Sequence, residues 1–366
     1  MTLNKIQNPL NILFFCQSID ETDSAVGDTA KRVLSLAADK RVKNILVIAV
    51  KGSKINLGEK VTVEVLSDKN TSKLRLLLKF YIVAYHRYTT MRFEICYLYM
   101  TPSMAILFLP FKLFFKCKIA IWFAHTVFTW KVRLSIFLIS DLWLSANRAQ
   151  AQLSTSKLRI IGQGVDLSQF YPMAKTKEFD LLTVGRISSS KKIELMLFAL
   201  QYLNENYDKK YTLTICGECY SKSDFQYKKQ LEKLIVDLNL VGSVYFIGSV
   251  EHKNLCELLN TTKVFLFTTP GGLGKATIEA MACGIPTVIA EEKLEDFLDN
   301  YLMSVLVCRP LAESIAAKIY TILNLPESEY KILSHKINRF ANNKCSMQNF
   351  SEKVVDELLK TVKQGY

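Results

Sequence analysis

Two short stretches in the second half of the chain hold the residue types that handle phosphate. In LLTVGRISSSKK a strand-like run ends at Gly185, and Arg186 and Lys191 follow. Glycine lets the backbone turn sharply and approach a ligand closely. Arginine offers a planar fork to phosphate oxygens, and lysine a point charge. Lys191 falls at the start of the next helical pattern, where the helix dipole also favours an anion. The plainer alternative is a turn with two solvated cations. In VFLFTTPGGLGKATIEAMACG a strand leads into Gly271, Gly272, Leu273, Gly274 and Lys275, then into a helix. The N–H groups of such a loop can cradle a diphosphate. Glu279 follows one turn into that helix, among small and apolar neighbours, where its carboxylate can accept hydrogen bonds from sugar hydroxyls. Gly217 in TICGEC and Gly248 in YFIGSV also follow strand-like runs, although each alone is only a turn signal.

The elements that must position these residues are legible as an alternation. NILFF, NILVIAV, ICYLYM, IAIWF and LWLSA read as strands in the first half, and DLLTV, YTLTIC, VYFIG, VFLFT and PTVIA in the second. Helical patterns such as DTAKRVLSLAADK, KKIELMLFALQYL and SDFQYKKQLEKLIVDL lie between them. Apolar strands without polar alternation suit parallel sheets covered on both faces. Two such series imply two doubly wound α/β domains, in which ligands bind beyond the carboxyl ends of the strands. The expected organisation is a first domain over 1–166, a linker over 167–179, a second domain over 180–345 and a last amphipathic helix within 346–366.

The bulk numbers agree. A length of 366 residues favours two domains, and 49% hydrophobic with 22% charged residues describes a globular chain. No run reaches the ~20 apolar residues needed to cross a bilayer. The stretch from Ile95 to Phe111 is broken by Pro102 and Pro110, and the N-terminal run reads as a first strand rather than a signal peptide. Nine scattered cysteines suit a reducing compartment. CGEC, Cys216 to Cys219, follows a strand and has no second pair at zinc-ribbon spacing, so it reads as a strand end. His86, His252 and His335 have no context that lifts them above surface residues, and Asp28 reads as a helix N-cap.

GRISSSKK, GQGVDLSQF and GGLGKATIEAMACGIPTVI together resemble three landmarks of the retaining glycosyltransferases of family 4, from about Ile12 to about Phe350. The resemblance implies the GT-B fold: two Rossmann-like domains facing each other across a cleft, with the C-terminal helix returning to the first. It implies that Arg186 and Lys191 bind the donor diphosphate, and that Glu279 holds the donor ribose. Gly185, Gly217, Gly248 and Val250 match strand ends near the donor. Gly27 in AVGDTAKR matches a loop facing the donor phosphates, and His125 in WFAHT a histidine near the reacting sugar. The co-substrate would be a UDP- or GDP-sugar, with no metal and no other cofactor. Two positions depart. Lys192 follows Lys191 where the family often has glycine, a change that looks harmless. The family's E-x7-E motif has a carboxylate eight residues before Glu279, and here that residue is Gly271. The first carboxylate usually meets the hydroxyls of the transferred sugar. Backbone N–H groups or Lys275 would then take over that contact. The change also keeps two other readings open: a nucleotide-sugar-binding protein without turnover, or a soluble nucleotide-sugar epimerase.

The net charge of +13 lies wholly in residues 1–175, which hold 24 Lys and Arg against 11 Asp and Glu. SKLRLLLKFYIVAYHRYTTMR sets Lys73, Arg75, Lys79, Arg87 and Arg92 among apolar residues, and SMAILFLPFKLFFKCK adds Lys112, Lys116 and Lys118 beside four phenylalanines. Basic amphipathic segments can lie in a membrane interface. The expectation is a peripheral protein on the cytoplasmic face of the membrane, acting on a lipid-linked or glycan acceptor. The alternative is a core helix whose lysines snorkel. No nucleic-acid-binding motif accompanies the charge.

Overall fold

Parallel strands buried on both faces need helices above and below them, and the chain builds that arrangement twice. The structure, a computed structural model, describes residues 9–20, 28–67, 71–124, 129–145, 155–207, 209–291, 294 and 297–364. It divides into two compact units, one of Met1–Gly162 with Met347–Tyr366, the other of Gln163–Ser346.

In the first unit β1 (Leu10–Ser18), β2 (Val42–Lys51), β3 (Val61–Val65), β4 (Ile95–Tyr99), β5 (Lys118–Phe123), β6 (Leu142–Ser145) and β7 (Leu158–Ile160) form a parallel sheet in the order β3-β2-β1-β4-β5-β6-β7. Side chains alternate between two cores. Along β1, Ile12 and Phe14 enter one and Leu13 and Phe15 the other. Helix α1 (Thr29–Ala38) and the C-terminal helix Met347–Lys363 share the first core through Val33, Leu36, Phe350, Val354, Val355 and Leu358. Arg32 of α1 is 2% exposed. It pairs with Asp28 at 2.8 Å and lies 5.1–5.4 Å from the ring centroids of Tyr99, Trp122 and Phe350. A buried cation is tolerable when paired and faced by aromatic rings. Helices α2 (Lys73–Met91), α3 (Leu109–Phe115) and α4 (Trp130–Leu134) belong to the second core, where Phe80 packs edge-on against Phe15 and Phe108.

In the second unit β8 (Phe179–Val184), β9 (Leu213–Cys216), β10 (Val244–Gly248), β11 (Thr262–Phe267), β12 (Thr287–Ala290) and β13 (Val307–Cys308) form a parallel sheet in the order β10-β9-β8-β11-β12-β13. The connecting helices are α5 (Ile193–Asn206), α6 (Lys222–Asp237), α7 (His252–Asn260), α8 (Lys275–Ala282), α9 (Asn300–Leu306), α10 (Ala312–Leu323) and α11 (Glu327–Lys344). One continuous core runs through the unit, with Leu181, Leu213, Val264 and Val288 from four adjacent strands. The two doubly wound units are the fold class expected from the alternation. The strands β3, β7 and β13 are short or mixed in polarity, and no apolar run marks them.

Candidate functional site

In the second sheet the strand order reverses between β8 and β11, so the connections leaving these neighbours diverge and open a crevice at their carboxyl ends. The turn after β8 carries Gly185, Arg186 and Lys191, and the loop after β11 carries Gly271 to Lys275. Their side-by-side placement follows from strand pairing, Leu182 opposite Phe265. Thr268 Oγ1 then donates to the Lys191 carbonyl at 2.6 Å and ties the turn to the loop. The glycines that follow β8 and β9 and the one that closes β10 are linked in turn. Gly185 N–H donates to the Cys216 carbonyl at 2.9 Å, and Gly217 N–H to the Gly248 carbonyl at 2.7 Å. At Gly217 a Cβ would lie 1.9 Å from the Gly185 oxygen, so only glycine fits that crossing. Val250, beyond Gly248, is half-buried against the core.

The two cations differ in their surroundings. Arg186 donates from Nε to Asp224 Oδ2 at 2.6 Å and from a terminal nitrogen to Ser221 Oγ at 3.2 Å. Burial alone would raise the Asp224 pKa. The N–H of Tyr220, Arg186 and Ser221 donate to its carboxylate and together hold it below the usual aspartate range. Asp224 also closes the capping box of α6 with Ser221. Lys191 has no such partner. Among the described residues no acidic side chain pairs with it, and burial lowers its pKa. Its ammonium lies 5.9 Å from the Phe267 ring centroid and 3.7 Å from where a Cβ on Gly185 would stand. Lys192, where the resemblance leads one to expect glycine, has a φ of +48°. The position does call for a left-handed backbone.

The glycine loop is closed by carboxylates at both ends. Glu279, on α8, is 5% exposed, and its Oε1 lies 3.3 Å from His252 Nε2. The His252 ring packs edge-on against Phe170. His252 is exposed, as its sequence context implies, but its contact with Glu279 has no signal in the sequence, because nothing there shows that α7 and α8 meet. At the other end Gly271, with a φ of +101°, donates its N–H to Glu291 Oε2 at 2.6 Å. Gly274 is the N-cap of α8, and Lys275 opens that helix. Leu273 is turned into the core, so only its backbone can face a ligand. Asp224, His252 and Glu291 were missed in the sequence. Only Asp224 carries a local signal, the spacing of its capping box.

Gly27 and His125 lie outside the described residues. Cys216 and Cys219 are free thiols, and burial raises both pKa values. In the first unit Lys73, Arg75 and Lys116 are exposed, Lys79 is half-buried and Lys118 opens β5. Lys112 turns inward, donating to the Ile139 carbonyl at 2.7 Å and to Asp141 at 3.0 Å. On the 19-residue α2 only Phe80 and Ala84 are buried. Leu74, Leu78 and Ile82 are 66%, 55% and 68% exposed, and Leu113 and Phe114 of α3 are 70% and 77% exposed. The two helices adjoin through Tyr88 and Phe115, whose ring centroids are 4.5 Å apart. Among the described residues no helix is long and apolar enough to cross a membrane.

Comparison with known proteins fits this geometry. Residues 165–343, just under half of the chain, match the family model of glycosyl transferases group 1. No curated protein matches the sequence. Among solved structures, HepE of Anabaena in complex with UDP and glucose is similar at 16% identity and a TM-score of 0.70, over 96% of this chain and 99% of that one. Sucrose-phosphate synthase from Thermosynechococcus elongatus is similar at 16% identity and a TM-score of 0.74, over 98% and 100%. The apo lipopolysaccharide outer core galactosyltransferase WaaB is similar at 12% identity and a TM-score of 0.67, over 96% and 99%. At these identities the likeness establishes the fold. Taken with the domain match over residues 165–343, it supports a glycosyltransferase.

Proposed function

We propose that the chain is a retaining glycosyltransferase that moves a sugar from a nucleotide-diphosphate-sugar to a lipid-linked or glycan acceptor in the assembly of cell-envelope polysaccharide or glycolipid. The observation that carries this reading is Lys191, a half-buried ammonium with which no acidic side chain pairs among the described residues, beside a glycine that leaves room for a ligand. A desolvated, unpaired cation is costly and becomes favourable once an anion meets it. A diphosphate supplies that anion, and the HepE complex with UDP and glucose supports the choice. Breaking the sugar–diphosphate bond builds negative charge on the departing phosphate. Lys191, Arg186 and loop N–H groups stabilise that charge as it develops. Glu279 accepts from the ribose hydroxyls. The acceptor attacks on the face the phosphate leaves, with the phosphate assisting, so configuration is retained. The reaction needs no metal.

The acceptor side is the basic, apolar face of the first unit. Between Lys69 and Ser140 eleven Lys and Arg face one acid, Glu94. Exposed Leu74, Leu78, Ile82, Leu113 and Phe114 lie among them. This pairing of charge with apolar surface complements anionic lipid and supports a location on the inner face of the cell membrane.

The test is thermal stability with UDP, GDP, ADP and their sugar conjugates. A nucleotide at about a hundred times its dissociation constant should stabilise the fold by about 2.7 kcal/mol. Arg186→Ala and Glu279→Ala should abolish the response. No response to any nucleotide would sink the reading.

A further inference from the structure

The segment TTPGGLG, from Thr268 to Gly274, contains no acidic side chain, yet the loop it forms meets a carboxylate. Glu291 reaches it from the neighbouring strand. Strands β11 and β12 pair in parallel with Phe267 opposite Ile289. Glu291 follows Ile289 by two residues, which puts it at the same carboxyl end of the sheet as the loop. There its Oε2 accepts the Gly271 N–H at 2.6 Å. The Glu291 backbone turns on itself, its N–H donating to the Ile289 carbonyl at 3.1 Å, directly after β12 ends at Ala290.

We propose that Glu291 is the carboxylate that reads the hydroxyls of the transferred sugar, held in place by the Gly271 N–H; this rests on the donor site proposed above. An ionised carboxylate only accepts hydrogen bonds, and a sugar is a dense set of hydroxyl donors. Carboxylate–hydroxyl bonds are charge-assisted and directional, so they discriminate among epimers. The bond to Gly271 also takes up one loop N–H that a phosphate would otherwise claim. The loop is thereby divided, with its sugar end at Gly271 and its phosphate end nearer Lys275. Neither Lys275 nor bare backbone N–H groups are then needed for the sugar contact.

The full chain and its Glu291→Gln variant should be compared by calorimetric binding of UDP, GDP and ADP, and of the glucose, galactose and N-acetylglucosamine conjugates of the nucleotide that binds. Gln keeps an acceptor for Gly271 N–H but loses the charge. The unmodified chain should prefer one sugar conjugate over the bare nucleotide. In Glu291→Gln that preference should fall about tenfold or more, while bare-nucleotide affinity stays within about twofold. Equal losses for nucleotide and conjugate would make Glu291 a loop-holding residue only and overturn the proposal. An unmodified chain with no preference for any conjugate would overturn it too. Absence of all nucleotide binding would overturn the donor site itself and this proposal with it.

Discussion

Lys191 is the residue at which stability and function pull apart. Its amine sits in a partly dry place, no acidic side chain pairs with it among the described residues, and burial lowers its pKa. Replacing it by methionine keeps most of the packing against Phe267 and removes the desolvated charge. Lys191→Met should therefore melt at the same temperature or higher without ligand, gaining on the order of 1 kcal/mol, as site residues often do when function is given up. The same variant should lose the thermal response to nucleotide. A melting scan with and without UDP, GDP and ADP reads both effects. Arg186 is different, because Asp224 and Ser221 already hold its fork and fix its orientation. The sequence made Gly185, Arg186, Lys191 and Glu279 legible, since each stands at a fixed offset from an apolar run. It hid the partners. Asp224 lies 38 positions from Arg186, and Glu291 lies 20 positions from Gly271. Such pairs are set by which strands become neighbours, and strand order leaves no local mark in a chain.

At the scale of elements, the site depends on how closely three strand ends are drawn together. The backbones at Gly185 and Gly217 touch, with no room for a methyl group between them. Gly217→Ala should push the ends of β8 and β9 apart and cost about 3 kcal/mol or more in denaturant unfolding. It should also weaken nucleotide binding, because the displaced turn carries Arg186. Gly248 is the internal control. It too has a positive φ, +73°, but its Cβ would meet nothing within 4 Å, so an Ala there should cost about 1 kcal/mol from backbone strain alone. Most strand runs were readable because both of their faces are buried and apolar, as in β4, while β10 at the sheet edge leaves Tyr245 and Ile247 exposed. The edge strand β7, LRI, is only partly buried, and β13 is the two residues VC. Neither has enough apolar length to stand out from its neighbours.

For the whole molecule, the asymmetry of charge becomes a matter of where the first unit goes. If α2 and α3 lie on anionic lipid, the chain should co-float with vesicles containing phosphatidylglycerol and not with phosphatidylcholine alone. Binding should weaken as ionic strength rises, since surface charges are screened. A Leu78→Asp, Ile82→Asp double variant should lose vesicle binding while its melting temperature stays near that of the parent, because both side chains are exposed. Unchanged flotation of the double variant would remove α2 from the membrane face. The charge excess was plain from composition, but the exposed leucines were not. The pattern of α2 serves equally well for a core helix and an interfacial one, and only the covering of one face decides between them.

The return of the C-terminal helix to the first unit also sets an order in time. Phe350, Val354, Val355 and Leu358 complete the core begun by β1, β2 and α1. The second unit, Gln163–Ser346, is contiguous and has every residue of its own core once Ser346 is made. During synthesis the first 162 residues must therefore wait for the last twenty, a delay of roughly 10–40 s at ~5–20 residues per second. The domain encoded second is positioned to finish folding first. Until then the first core lacks the apolar side chains of its last helix, among them the Phe350 ring that packs edge-on against Trp122.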